Sequence, residues 1–273
     1  DDNEGAVTVA LSADGSNNSA ISFSDDLDVP SGNAVTVNVG TQNASTTIVN
    51  KLNTLTSQAG VTAITGAITG ATPTEAGNLN TTSSKSTFNL TLDVAPTVTQ
   101  AKTAIQKTGG TVTFSAGLTA TDFTDYVSGS TVANDFVDVL AADDAVAIAY
   151  TGSALDATTK STDINTLATY STGGKSVGAI TAAVTGTAAE LINLSTSDAR
   201  SDDLTLTVEN QASRSDATTI LGKTVASTVD FSAGGISGSL SSSDTNSLTT
   251  GGAINTATKN IIAHDPDVLI EIT

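Results

Sequence analysis

The chain has no Cys, no Met and no Trp, and a single His, His264. Those absences exclude disulfide staples, thiolate nucleophiles and Cys-based zinc or iron–sulfur centres together. Basic residues are nearly as scarce. Ten Lys+Arg stand against 28 Asp+Glu, a formal charge of −18, and a surface so acidic repels a phosphate backbone, so nucleic acid is not an expected partner. No apolar run reaches the ~18 residues of a spanning helix, and no membrane span is expected. The chain opens Asp1-Asp2-Asn3-Glu4-Gly5, without an initiator Met or a charged-then-apolar leader, and reads as a processed or excised segment.

What is abundant is Thr, at 49 positions, with Ser, Ala and Gly; Phe and Tyr together number nine. Hydrophobic residues at 38% and charged residues at only 14% place the chain outside the composition of disordered proteins, so it is expected to fold. Frequent Thr and Val favour a pleated, half-buried surface over a helix interior and predict a β-rich chain. A polar, acidic, Thr-rich surface predicts an extracellular or cell-surface location.

Self-comparison finds a repeat. Val61-Thr62-Ala63-Ile64-Thr65-Gly66-Ala67-Ile68-Thr69-Gly70 aligns without a gap on Val177-Gly178-Ala179-Ile180-Thr181-Ala182-Ala183-Val184-Thr185-Gly186. Leu52-Asn53-Thr54-Leu55 mirrors Ile164-Asn165-Thr166-Leu167, and Leu90-Thr91-Leu92-Asp93-Val94 mirrors Leu204-Thr205-Leu206-Thr207-Val208. Weaker copies begin at Thr111 and Thr228. The predicted organisation is an N-terminal partial unit or cap over 1–44, then repeat units over 45–94, 95–150, 151–208 and 209–273, the last ending on a terminal strand.

Each unit reads as a short helix, a strand, a second short helix and a closing strand. Ile48, Leu52 and Leu55, and again Val98, Ala101 and Ile105, recur at helical spacing. Thr72-Pro73-Thr74-Glu75 and Thr187-Ala188-Ala189-Glu190 are capping boxes, so Thr72 and Thr187 are predicted N-caps. Thr119 with Asp122 and Ser241 with Asp244 keep a weaker form. The pairs Gly109-Gly110, Gly173-Gly174, Gly234-Gly235 and Gly251-Gly252 are turn signals, since none precedes the Lys-Ser/Thr of a phosphate cradle. A lone unit of this size buries too little surface to stand by itself, so units must share a core. The predicted fold is a β-rich repeat protein with short capping helices, its strand–helix units stacked solenoid-like; two compact β-sandwich-like lobes are the alternative.

Ser161-Thr162-Asp163-Ile164-Asn165-Thr166-Leu167, the strand ending at Gly186 and Thr187-Ala188-Ala189-Glu190-Leu191 resemble repeat modules of long secreted surface and adhesin-like proteins of cyanobacteria and other aquatic bacteria. The Thr-Ala-Ala-Glu-Leu element is similar also to a short repeat of phage tail fibres. The first resemblance implies a surface, filament or matrix role. The Gly-Gly-x-Gly-x-Asp calcium repeat sometimes found beside such modules is absent here.

Carboxylates are the one dense ligand set: Asp1-Asp2-Asn3-Glu4, Asp25-Asp26-x-Asp28, Asp143-Asp144, Asp202-Asp203 and Asp265-x-Asp267. Oxygen-only ligands suit Ca²⁺. Asp25, Asp26 and Asp28, just before Pro30 and Gly32, form the candidate metal site, with solvated loop charge as the competing reading. His264, flanked by Asp265 and Asp267, has no Cys nucleophile and no Gly-x-Ser-x-Gly elbow to serve, so no catalytic residue and no enzyme activity is assigned. The expected function is an extracellular structural or adhesive protein, a subunit of a surface layer, filament or giant adhesin. Its expected partners are copies of itself, joined head to tail or in a lattice through a terminal strand, and surface polysaccharide. The alternative is a calcium- or carbohydrate-binding recognition module, as at an adhesin tip or in a phage tail fibre.

Overall fold

A computed structural model describes residues 7–10, 29, 31–32 and 34–273; Asp25, Asp26 and Asp28 lie outside the described residues. The fold corrects the composition-based expectation. Among the described residues eight α-helices alternate with short strands, the strands form several small parallel sheets, and none of these sheets closes. The architecture is mixed α/β, neither a β-rich solenoid-like repeat nor a pair of β-sandwich-like lobes.

Two physical reasons account for the difference. By composition Thr favours strands, but in the helices its hydroxyl turns back to the carbonyl four residues earlier: Thr56 to Leu52 at 2.8 Å, Thr166 to Thr162 at 2.8 Å, Thr218 to Arg214 at 2.9 Å and Thr219 to Ser215 at 3.1 Å. That bond satisfies the hydroxyl within the helix and makes a β-branched residue tolerable there. The second reason is strand direction. Parallel neighbours cannot be joined by a tight turn, so each pairing draws in a crossover segment, and from Val35 onward the described crossovers carry helices.

The helices are α1 Thr46–Ser57, α2 Pro73–Gly77, α3 Val98–Ile105, α4 Asn134–Ala142, α5 Ala157–Ala168, α6 Ala188–Leu191, α7 Arg214–Leu221 and α8 Thr256–His264. Both predicted N-caps are in place. The Thr72 N–H and hydroxyl donate to the Glu75 carboxylate at 2.9 Å, and Glu75 N–H returns a bond to the Thr72 hydroxyl at 3.2 Å. Thr187 donates both groups to Glu190 at 2.8 Å. The weaker boxes do not nucleate α-helices. Asp122, not Thr119, caps a 3₁₀ turn at Phe123–Asp125, and Ser241 to Asp244 closes only a turn.

The chain divides into two compact units, the first within Asp1–Thr119 and Asn134–Val146, the second within Ala120–Ala133 and Ala147–Thr273. In the first, five parallel strands lie side by side in chain order: Val7–Ala10, Val35–Asn43, Val61–Ala71, Asn89–Leu92 and Val112–Phe114. Helices α1 to α4 pack successively on one another, and Leu52, Ile64, Leu79, Phe88 and Leu90 fill the core. A bulge between the second and third strands places Gly66, at φ +124°, against the Gly40 carbonyl, where no side chain fits.

In the second unit Ile148–Tyr150, Ile180–Gly186, Asp203–Val208 and Val229–Asp230 form one parallel sheet in chain order. Ala212–Ser213, Ile236–Gly238 and Ile270–Ile272 form another. Helices α5 to α8 again pack in succession. Gly173-Gly174 and Gly251-Gly252 both take positive φ in two-residue hairpins, the turn that needs left-handed backbone at both central positions.

The repeat recurs as a set of contacts. Asn53 donates to the Asn78 carbonyl at 2.9 Å and accepts from Asn80 N–H at 2.7 Å; Asn165 does the same with Asn193 at 3.0 Å and Ser195 at 2.6 Å. A helix side chain thus clips the loop after the next short helix in each copy.

Candidate functional site

Three of the acidic doublets are occupied by backbone amides. Asp202 is fully buried. One of its oxygens accepts from Ile180 N–H at 2.9 Å; the other accepts from Ser197 N–H at 2.9 Å and pairs with Arg200 Nε at 3.3 Å. Asp143 follows α4 and accepts from Phe114 N–H at 2.7 Å. Asp265 follows α8 and accepts from Phe231 N–H at 2.7 Å. The last two share one role. Ser115 N–H bonds inward to Leu92, so Phe114 N–H faces the outer edge of its sheet, where the Asp143 carboxylate satisfies it. Phe231 directly follows Val229–Asp230, the outer strand of its sheet, and Asp265 closes that edge in the same way. Among the described residues no group of three or more His, Asp or Glu is placed to hold a metal ion.

A groove of ≈ 230 Å³ is lined by Thr205, Thr228, Asp230, His264, Asp265 and Pro266, among others. His264 lies in the last turn of α8, with Nδ1 2.8 Å from the Asn260 carbonyl; a carbonyl only accepts, so Nδ1 carries the proton. Asp265 is held by Phe231 N–H, and the hydroxyl and N–H of Ser232 hold the Asp230 carboxyl below the ordinary range. The sequence neighbours His264 and Asp265 therefore face different partners and form no His–carboxylate pair.

The remaining feature is the strand Ile270–Ile272. After α8, the turn at Asp265 to Val268, closed by Val268 N–H to the Asp265 carbonyl at 3.2 Å, sets the chain parallel to Ile236–Gly238. Gln211 holds Glu271 at 2.6 Å. The apolar side chains beside it face solvent: Leu269 is 69% exposed, Ile270 40% and Ile272 61%. Leaving so much branched apolar surface on an outer strand is unfavourable by ~25 cal/mol for each Å² left wet, and such an edge is a template for further pairing. Sequence periodicity located this strand; its exposure follows only from the fold.

The sequence missed Asp143 and Asp265 as edge caps. The available signal was their matched place, each ending the segment that a weaker repeat copy opens. Compared with protein-family models, curated proteins and solved structures, the chain matches none. No helix among the described residues is long and apolar enough to cross a membrane.

Proposed function

We propose that this chain is an extracellular structural protein, a building block of a surface layer, filament or large adhesin, that joins copies of itself through an open sheet edge. The observation that carries the reading is the strand Ile270–Ile272, apolar and exposed on the outer edge of a parallel sheet, while the edges at Phe114 and Phe231 are capped by carboxylates. Capping two edges and leaving a third wet and apolar is what a protein that adds strands from a partner requires. The repeat resemblance and the acidic, Thr-rich surface agree with a location outside the cell.

The test compares the whole chain with a variant lacking residues 267–273, by sedimentation velocity and negative-stain imaging. Leu269 to Thr273 are exposed, so the deletion leaves the core standing and the variant folds as a monomer. The full chain forms ordered assemblies at high concentration. A full chain that stays monomeric at every concentration and salt level overturns the proposal.

A further inference from the structure

The direction of the free edge defines the assembly more closely. Ile236 N–H donates to the Leu269 carbonyl at 2.8 Å, and Thr273 N–H donates to the Gly238 carbonyl at 3.0 Å. Residues 269, 271 and 273 thus face their own sheet. Backbone groups alternate sides along a strand, so those of Ile270 and Ile272 face outward.

A second outer strand lies at the other end of the chain. Val35 N–H donates to Gly60 at 2.9 Å, away from Val7–Ala10, so Thr36 turns toward that strand. In the parallel register Val7↔Val35 and Thr8↔Thr36, the bonds from Thr36 are answered by Val7 and Val9. The backbone groups of Thr8 and Ala10 therefore face outward. Among the described residues each of these two strands has one strand neighbour only.

In all three main sheets the strands described above pair in parallel and follow chain order across the sheet. Parallel crossovers are right-handed in nearly all proteins, so successive strands add on the same side. The outer edge of Val7–Ala10 is consequently the side on which a preceding strand would sit, and the outer edge of Ile270–Ile272 the side on which a following strand would sit. The two edges are complementary in direction, and one chain carries both.

We propose that the occupant of the Ile270–Ile272 edge is the Val7–Ala10 edge of a second copy of this chain, paired in parallel. The junction is head to tail and not two-fold, so each added copy presents a fresh edge and growth is open-ended unless the rotation closes a ring. Two chains of charge −18 repel, so the junction tightens as salt screens them. This inference rests on the self-assembly reading above.

Proline at an outward-facing position removes an edge donor without breaking a bond inside the sheet. Thr8→Pro blocks the leading edge and Ile270→Pro the trailing edge of the full chain; Ala10→Pro and Ile272→Lys serve as second variants, and circular dichroism checks the fold of each. In sedimentation velocity the wild type forms species larger than dimers that grow with added salt, while Thr8→Pro and Ile270→Pro are each monomeric alone. Their equimolar mixture forms a 1:1 dimer and stops, because one competent junction remains. If Thr8→Pro dimerises alone, the trailing edge pairs with itself: the head-to-tail inference fails while self-assembly stands. A mixture that stays monomeric beside an assembling wild type also overturns the inference. A monomeric wild type overturns both.

Discussion

Replacing Asp202 tests whether the acidic doublets are amide caps rather than solvated charge. Its carboxylate, 0% exposed, accepts from Ile180 N–H and Ser197 N–H, both at 2.9 Å. Asp202→Ala strands both donors, and a buried donor left unmade costs ~1–3 kcal/mol. The Arg200 side chain is 27% exposed and turns to water when its partner goes, so the lost ion pair adds at most ~1 kcal/mol. The expected loss is about 3 kcal/mol, with about 2 for Asp202→Asn, whose amide keeps one acceptor but faces the other N–H with a donor. Its neighbour Asp203 is exposed, and Asp203→Ala should stay within ~0.5 kcal/mol of wild type. The assay is urea unfolding followed by Tyr fluorescence. Tyr126, Tyr150 and Tyr170 all lie in the second unit with Asp202, and with no Trp they report on that unit alone. Equal midpoints for Asp202→Ala and Asp203→Ala would refute the amide-cap account.

Thr72→Ala and Thr187→Ala should each lower stability by about 1 kcal/mol through loss of an N-cap, measured by circular dichroism and Tyr fluorescence respectively. Bonds from the Thr187 N–H, then from its hydroxyl, hold the Glu190 carboxyl below its ordinary range. That group therefore adds stability that is complete above the ordinary carboxylate range and is lost as pH falls through its folded pKa. Glu190→Gln should accordingly be less stable than wild type at neutral pH, with the gap in melting temperature closing on acidification; a gap constant with pH would contradict this. Gly66→Ala should cost roughly 2–4 kcal/mol, since it adds a methyl group against the Gly40 carbonyl at a left-handed φ, and a circular-dichroism melt unchanged from wild type would refute the close approach.

Some of this architecture was legible residue by residue. The capping boxes at Thr72 and Thr187 act over three residues, and the apolar spacings of α1 and α3 over one or two turns, so both are written locally. The Gly-Gly hairpins at 173–174 and 251–252 are local for the same reason. In α7 the Thr residues carry strand propensity and become acceptable only because a helical carbonyl receives the hydroxyl, whereas in α8 the Thr258 hydroxyl leaves the helix for the Leu248 carbonyl, a partner that only the fold supplies.

The acidic residues show the limit most clearly. Asp143, Asp202 and Asp265 look alike in sequence as members of loop doublets or pairs that suit a cation. Each accepts from an amide 29, 22 or 34 residues away, set beside it by strand order and helix packing. Short-range geometry suffices to encode the caps at Thr72 and Thr187, the tight turns and an apolar final strand. The tertiary structure alone decided that the strands run parallel through helices, that two sheet edges are closed by carboxylates, and that Leu269, Ile270 and Ile272 face solvent. Those outcomes depend on which distant backbone groups meet, and no local pattern of side chains specifies that.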